Sequence, residues 1–270
     1  LHSDTHSFPT RRSSDLGFAN YAVGFDNIDV KEATRRKIPV SNTPGVLTDA
    51  TAEMAWTLIF TAARRVIEAD AFMRTGEWGG WGPMQYLGGA VTANTLGLVG
   101  AGRIGRAVAR KSRGFDMDVL YSDVERSEEM EREYGARKVE FEELLTQSDF
   151  ISVHVPLLDH TRHLFNGDAF SKMKSTAYLV NTSRGSVIKE GDLLEALRSG
   201  EIAGAGLDVY EFEPKMTEGL EKLDNVVVTP HIASATTYAR TQMGVKAARN
   251  LIAMIEGSEP PDCVNPEVLR

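Results

Sequence analysis

Thr95-Leu96-Gly97-Leu98-Val99 runs directly into Gly100-Ala101-Gly102-Arg103-Ile104-Gly105, and these eleven residues decide the fold. The first five have the apolar pattern of a β-strand. The next six form a G-x-G-x-x-G turn, and Arg103 to Arg113 read as a helix. A lone G-x-G-x-x-G carries little weight. Here a strand precedes it, a helix follows it, and an acidic residue, Asp123, closes the next strand eighteen residues beyond Gly105. That is the setting of a dinucleotide-binding turn. Gly100 permits the tight turn, Gly102 lets backbone approach a pyrophosphate, and Gly105 lets helix and strand pack closely. The helix start at Arg103 and Ile104 offers N–H groups and a partial positive charge to phosphate. Asp123 is expected to accept hydrogen bonds from the adenosine ribose and to repel a 2′-phosphate. NAD is therefore favoured, with NADP possible, and Arg126 weakens the preference without reversing it.

Working outward, strands and helices alternate. Strands are expected at Met117–Ser122, Phe150–Val155, Ala177–Asn181, Gly204–Val209 and Val226–Thr229. Helices are expected at Ser127–Tyr134, Phe141–Gln147, Ala169–Met173, Leu193–Arg198 and Thr237–Glu256. Such alternation implies parallel strands joined by right-handed crossovers, hence an α/β doubly wound parallel sheet. Upstream, Phe18–Val23 reads as a strand and Val30–Lys37 as a short helix. Apolar residues spaced by three and four from Ala52 to Ile67 mark one long helix over Asp49–Met73. A loop rich in Gly and Trp follows, at residues 76–83.

Composition sets the outer limits. Apolar residues make up 42% and charged residues 25% of 270, which is globular and excludes wholesale disorder. No run approaches the ~20 apolar residues of a membrane-spanning helix. The net charge of −8 argues against affinity for nucleic acid or an anionic membrane. The single Cys263 excludes a disulfide framework and fits a reducing cytoplasm. His160 and His163 lie three apart without a third ligand nearby, so no metal is expected.

In open α/β sheets, ligands sit outside the carboxyl ends of the strands. Three polar clusters occupy such places. Asn181-Thr182-Ser183-Arg184-Gly185 follows one strand, Asp208 with Glu211 and Glu213 follows the next, and His231 follows the last. Arg184 offers a fixed fork for a substrate carboxylate. His231 has the chemistry of a proton donor and acceptor, and a carboxylate beside it would orient its ring.

These residues carry a resemblance. The chain resembles the D-isomer-specific 2-hydroxyacid dehydrogenases from about Tyr21 onward, and most closely their glyoxylate/hydroxypyruvate reductase branch. The similarity rests on residues 20–29 and 42–53, on Gly100–Gly105, on Val153-His154-Val155-Pro156-Leu157 and on Val180–Gly185. It continues through residues 205–214 and Thr229-Pro230-His231-Ile232-Ala233-Ser234. The resemblance implies a Rossmann cofactor domain beside a flavodoxin-like substrate domain. It also implies hydride transfer between NAD(P)H and a small 2-keto acid, in a cytoplasmic homodimer. Arg184, Glu213 and His231 would then be catalytic, with Glu213 as the partner of His231 and Glu211 as a surface neighbour. Asp208 would hold the nicotinamide carboxamide. Val155, Pro156, Thr161, Thr182, Ser183, Arg184, His231 and Ala233 would complete the cofactor contacts. Val23 and Gly24, through their N–H groups, would join Arg184 and His231 on the substrate, with Trp81 as a wall. Other family activities, on phosphoglycerate, phosphite or formate, and an NAD-sensing corepressor remain alternatives.

The beginning of the chain stands apart. Residues 6–16, HSFPTRRSSDL, resemble the translation of a sequencing-adapter oligonucleotide, so residues 1–16 are expected to be artefact. The expected cofactor domain is 47–236. Residues 17–46 and 237–270 are expected to be the remnant of an incomplete substrate domain. On that reading the chain binds cofactor better than it turns over substrate.

Overall fold

Apolar runs alternating with turn residues set the element order of the computed structural model, which describes residues 16–269. It runs β1 (Phe18–Ala19), α1 (Val30–Arg35), β2 (Val40–Ser41), α2 (Thr48–Ala63), α3 (Val66–Thr75), β3 (Thr95–Val99), α4 (Arg103–Ser112), β4 (Asp118–Ser122) and α5 (Glu128–Tyr134). Then follow β5 (Arg137–Lys138), α6 (Phe141–Gln147), β6 (Phe150–Val153), α7 (Gly167–Lys172), β7 (Tyr178–Asn181), α8 (Glu190–Ser199), β8 (Gly204–Leu207), β9 (Val226–Val228) and α9 (Thr237–Ile255). The adapter-like stretch lies outside the described residues except for Leu16. No helix among the described residues is long and apolar enough to cross a membrane.

The chain divides into two units, Thr51–Ala233 and the segments on either side of it. Both boundaries fall a few residues inside the expected 47–236.

In the first unit, seven parallel strands form one sheet in the order β5-β4-β3-β6-β7-β8-β9. The order reverses between β3 and β6, which makes their carboxyl ends the topological switch point. Period-2 alternation sends side chains to two cores. Leu96, Leu98, Val119, Tyr121 and Val180 face the layer of α2 and α4, with Leu58, Ile59 and Val108. Val99, Leu120, Ile151, Val153, Leu179 and Leu207 face α6, α7 and α8, with Leu144, Phe170 and Leu193. Strands buried on both faces read as continuous apolar runs, as β3 and β6 do.

Three expectations differ from the structure. The helix expected over Asp49–Met73 is broken into α2 and α3 at Arg65, which is left-handed with φ 51°. The Gly89 N–H takes the Ala63 carbonyl at 2.9 Å, ending α2, and the Arg65 guanidinium grips Glu68 in the first turn of α3 at 2.6 Å. Spacing by three and four persists through such a break, so the pattern does not register it. The strand expected over Phe18–Val23 pairs only at Phe18–Ala19, because the Asn20 amide donates to the Gly24 carbonyl at 2.8 Å and curls the backbone. Strand β5 was not expected at all: its two residues are charged, exposed and on the sheet edge.

The flanking segments build the other unit. β1 and β2 pair in parallel, and Ala33, Ile38 and Val40 form a small core. Asp29 caps α1 by accepting from the Glu32 N–H at 2.9 Å. The buried Asn265 binds Val40 N–H at 2.7 Å and Ile38 O at 3.0 Å, tying the C-terminal segment to β2.

His154 stands at the switch point, just past β6, its N–H donating to Val99 O at 2.7 Å. Its Nε2 faces Ser152 Oγ at 2.9 Å, and Nδ1 is buried without a partner. Burial pushes the imidazole down from 6.5 to about 3. The unfolded chain therefore takes up this proton first as pH falls. The stability that neutral His154 permits is complete above pH 6.5 and drains away toward pH 3, by about 1.4 kcal/mol per pH unit at most. His154→Gln should flatten the acid limb of stability against pH between those limits, as measured by urea unfolding. An unchanged acid limb would show that this histidine is not buried neutral.

Candidate active site

The phosphate-binding turn is built by close approach. Gly100 is left-handed at φ 104°, and a Cβ on Gly105 would lie 2.1 Å from the Gly100 carbonyl oxygen. Any larger residue at 105 would push α4 off the turn. Gly102 differs: its backbone is extended and no protein atom lies within 4 Å of where its Cβ would stand. Nothing in the protein demands glycine there. A side chain would instead fill the open space over the start of α4, where no side chain caps the helix. Free N–H groups beside an open, Cβ-sized cradle fit a pyrophosphate. Asp123, at the end of β4, accepts from the Ala101 N–H at 2.6 Å and the Glu125 N–H at 3.2 Å. Those bonds fix the carboxylate against the turn. Arg103 is exposed and Ile104 half-buried at the helix start.

The second half of the site follows from strand register. Asn181, Leu207 and Val228 are paired across β7, β8 and β9. The three turns that follow therefore leave the sheet side by side. Asn181 braces the first turn, accepting from the Ser183 N–H at 2.9 Å and donating to Arg184 O at 2.8 Å. Gly185 then passes beneath the next turn so closely that a Cβ would lie 1.8 Å from the Tyr210 carbonyl carbon.

His231 Nδ1 meets Glu213 Oε2 at 3.0 Å, and the Tyr210 N–H donates to the other carboxylate oxygen at 3.1 Å. A carboxylate only accepts, so Nδ1 carries a hydrogen and the ring's tautomer is set. His231 itself is left-handed at φ 52°, a conformation costing about 1–3 kcal/mol in a non-glycine residue. Asp208 holds it there. That carboxylate is fully buried and accepts from Thr229 Oγ at 2.6 Å, Ile232 N–H at 2.8 Å and Ala233 N–H at 2.7 Å. Its expected contact was the nicotinamide carboxamide. In the structure its oxygens clamp the turn on both sides of His231.

Tyr210 was not singled out from the sequence. Its hydroxyl donates to Thr229 O at 2.8 Å, joining the turns after β8 and β9. Burial, followed by the charge of Asp208, holds the phenol well above its ordinary range, so it stays a neutral donor. Its apolar neighbours in the motif disguise this in the sequence.

Glu211 is a correction. It was expected at the surface, but its side chain is only 10% exposed and lies 2.5 Å from His163 Nε2. Its other oxygen accepts from the Glu190 N–H at 3.0 Å, while the buried Glu190 accepts from the N–H groups of Glu211 and Thr217. The two glutamates cap each other's backbone and anchor the loop that carries Glu213. His163 is thus a structural partner, and no metal-ligating group of three is present among the described residues.

The remaining expected residues divide. Thr161 spends its hydroxyl on Pro156 O at 2.7 Å and the Leu158 N–H at 2.8 Å, bracing the turn after Val155 and Pro156. Ser183 donates to Asn181 Oδ1, and Thr182 Oγ1 is buried without a partner. Trp81 is 84% exposed. Val23 and Gly24 belong to the other unit, where Asn42 and Asn20 hold their carbonyls at 2.8 Å each.

Residues 56–233 match the family described as D-isomer specific 2-hydroxyacid dehydrogenase, NAD binding domain. The chain is similar to the glyoxylate reductase of Thermococcus litoralis, at 53% identity over 93% of this chain and 77% of that protein. Among solved structures it is similar to a glyoxylate reductase from Paecilomyes thermophila, with a TM-score of 0.85 and 38% identity, covering 93% of this chain and 76% of that one. It is also similar to an NADPH-dependent glyoxylate/hydroxypyruvate reductase of Sinorhizobium meliloti in complex with NADP and malonate. There the TM-score is 0.85 and the identity 35%, covering 92% and 77% of the two chains.

The clamp around His231 gives a direct test. Asp208→Asn keeps the shape but points an amide N–H₂ at a backbone N–H donor. A buried donor left without an acceptor should cost about 1–3 kcal/mol in urea unfolding, with glyoxylate-dependent NADH oxidation falling further than stability alone explains. Wild-type stability in Asp208→Asn would contradict the clamp.

Proposed function

The chain belongs to the D-isomer specific 2-hydroxyacid dehydrogenase family, and from that premise we propose that it reduces glyoxylate or hydroxypyruvate with NADH in preference to NADPH. Hydride transfer between NAD(P)H and a keto acid is the reaction. The observation that carries the finer reading is the Glu213–His231 pair, 3.0 Å apart, on a rim shared with the turn of Arg184. Identity above 50% with glyoxylate reductases supports the substrate class.

When bound, the dinucleotide supplies the hydride. The residues do the rest. Gly100–Gly105 hold the pyrophosphate and Asp123 the ribose. The Asp208 clamp presents the Ile232–Ala233 backbone to the nicotinamide end, with Thr182 and Ser183 two strands away on the same rim. Arg184 grips the substrate carboxylate by its two-pronged fork. His231, its Nδ1–H held by Glu213, delivers the proton from Nε2 to the keto oxygen.

We also propose a homodimer. α3 and the segment after it expose Val66, Ile67, Met73, Trp78, Trp81 and Met84. The Phe72–Tyr86 ring contact at 5.7 Å and the Arg65 guanidinium, 5.4 Å over the Tyr86 ring, keep that segment on α3. So many exposed large apolar side chains along one stretch of chain support an interaction site. Trp81 would then wall the partner's substrate cleft. The cytoplasm is the proposed setting, in keeping with the single Cys263, which is free.

His231→Asn should lower glyoxylate turnover by about 10²–10⁴-fold while leaving NADH affinity within about threefold. A variant that keeps a tenth of wild-type turnover would remove His231 from the proton path. Sedimentation of the wild-type chain should give twice 29.6 kDa, and Val66→Asp should give a monomer. A wild-type monomer at micromolar concentration would end the dimer proposal.

A further inference from the structure

The turn between β4 and α5 holds a cation that the reaction does not use. Arg126 lies three residues past Asp123 and is bound to Glu131 of α5. Its Nε lies 2.8 Å and 3.0 Å from the two oxygens of Glu131, and Nη2 lies 2.5 Å from Oε2. The pair is asymmetric. The Arg126 side chain is 69% exposed and that of Glu131 only 21%. Glu131 is fixed from beneath by the hydroxyl of fully buried Tyr121, which donates to Oε1 at 2.8 Å. That hydroxyl in turn accepts from the Ser127 N–H at 2.9 Å, at the cap of α5. A mobile cation is thus drawn onto an anchored anion. Arg126 holds the Glu131 carboxyl below its usual range, and Tyr121 adds to the effect.

Other cations stand nearby: Lys138, whose Nζ donates to Val124 O at 3.2 Å, and Arg106, whose Nη1 lies 3.4 Å from Glu129. Glu125, Glu128 and Glu129 add negative charge along the same segment. A guanidinium is the group best shaped to grip a phosphate with two hydrogen bonds. Here it stands three residues from the ribose-binding carboxylate with its Nε and Nη2 already engaged by Glu131.

We propose that Glu131 is a second determinant of cofactor choice: it keeps Arg126 away from the ribose 2′ position, so the dinucleotide lacking the 2′-phosphate is preferred. This rests on the reading of Asp123 as the ribose carboxylate. Asp123 repels a 2′-phosphate directly. Glu131 acts at one remove, by withholding the nearby cation that would bind it.

Glu131→Gln separates the two. Glutamine keeps the volume and an oxygen for Tyr121 but loses the charge that holds Arg126. The probes are ADP and adenosine 2′,5′-bisphosphate, titrated calorimetrically into the full chain at low ionic strength, where exposed charges are least screened. The wild-type chain should bind ADP more tightly. Glu131→Gln should tighten adenosine 2′,5′-bisphosphate by about five- to tenfold, the scale of one exposed charge-assisted contact, and move ADP less than twofold. Adding Arg126→Gln to Glu131→Gln should abolish the gain. A role in stability alone would move both nucleotides together. Unchanged bisphosphate affinity in Glu131→Gln with ADP binding intact overturns the proposal, as does a gain that survives loss of Arg126. A wild-type chain that binds neither nucleotide overturns the ribose-site reading itself, and this proposal with it.

Discussion

Three strands that end level govern the chemistry of this protein. Asn181, Leu207 and Val228 are register partners across β7, β8 and β9. Because parallel strands share one direction, all three chains must leave the sheet on the same side. Arg184, Glu213 and His231 therefore emerge from adjacent turns, although 47 residues separate the first from the last. A one-residue slip of β8 would turn Asp208 to the opposite face and dismantle the clamp. The tightness of the packing guards against that slip. Gly206 has no side chain where a Cβ would come within 2.8 Å of Leu58, and Gly185 has none beneath Tyr210.

Around that rim, carboxylates do more positioning than their charge alone indicates. Asp208 clamps a turn, Glu190 and Glu211 cap one another's backbone, and Asp123 steadies the glycine turn. In each case a carboxylate accepts from backbone N–H groups, bonds stronger than those between neutral partners. The loops are thereby held to the sheet by short polar ties where apolar contact is sparse. The strained backbone of His231 is sustained by the same means. Functional loops on a rigid parallel sheet need such ties, because the sheet's own hydrogen bonds end where the loops begin.

The two ends of the proposed cofactor site differ in how they are built. The phosphate turn is almost all backbone: glycines for approach, helix N–H groups for charge. The ribose end is side chains in series, Asp123, then Arg126, Glu131 and Tyr121. Backbone sites are fixed by the fold and tolerate little variation. Side-chain sites can be retuned without disturbing it. Preference between two cofactors that differ only at one ribose hydroxyl belongs to the second kind.

Much of this was legible in the residues themselves. Eleven residues from Thr95 to Gly105 determined the doubly wound sheet, because a strand, a glycine turn and a helix in immediate succession admit few packings. Period and punctuation located β3, β4, β6, β7, β8 and β9 to within one or two residues, and strand ends located Arg184, Asp208 and His231. The tertiary structure decided what periodicity cannot carry. It broke the helix at Arg65, since the carbonyl of Ala63 is claimed by a chain segment 26 residues away. It turned Asp208 inward onto three donors and took Glu211 from the surface to His163. It brought Tyr121 beneath Glu131. Each of these outcomes depends on which partner reaches a polar group first in three dimensions. Spacing along one strand or helix specifies a face, and partners on other elements are set only when the layers close.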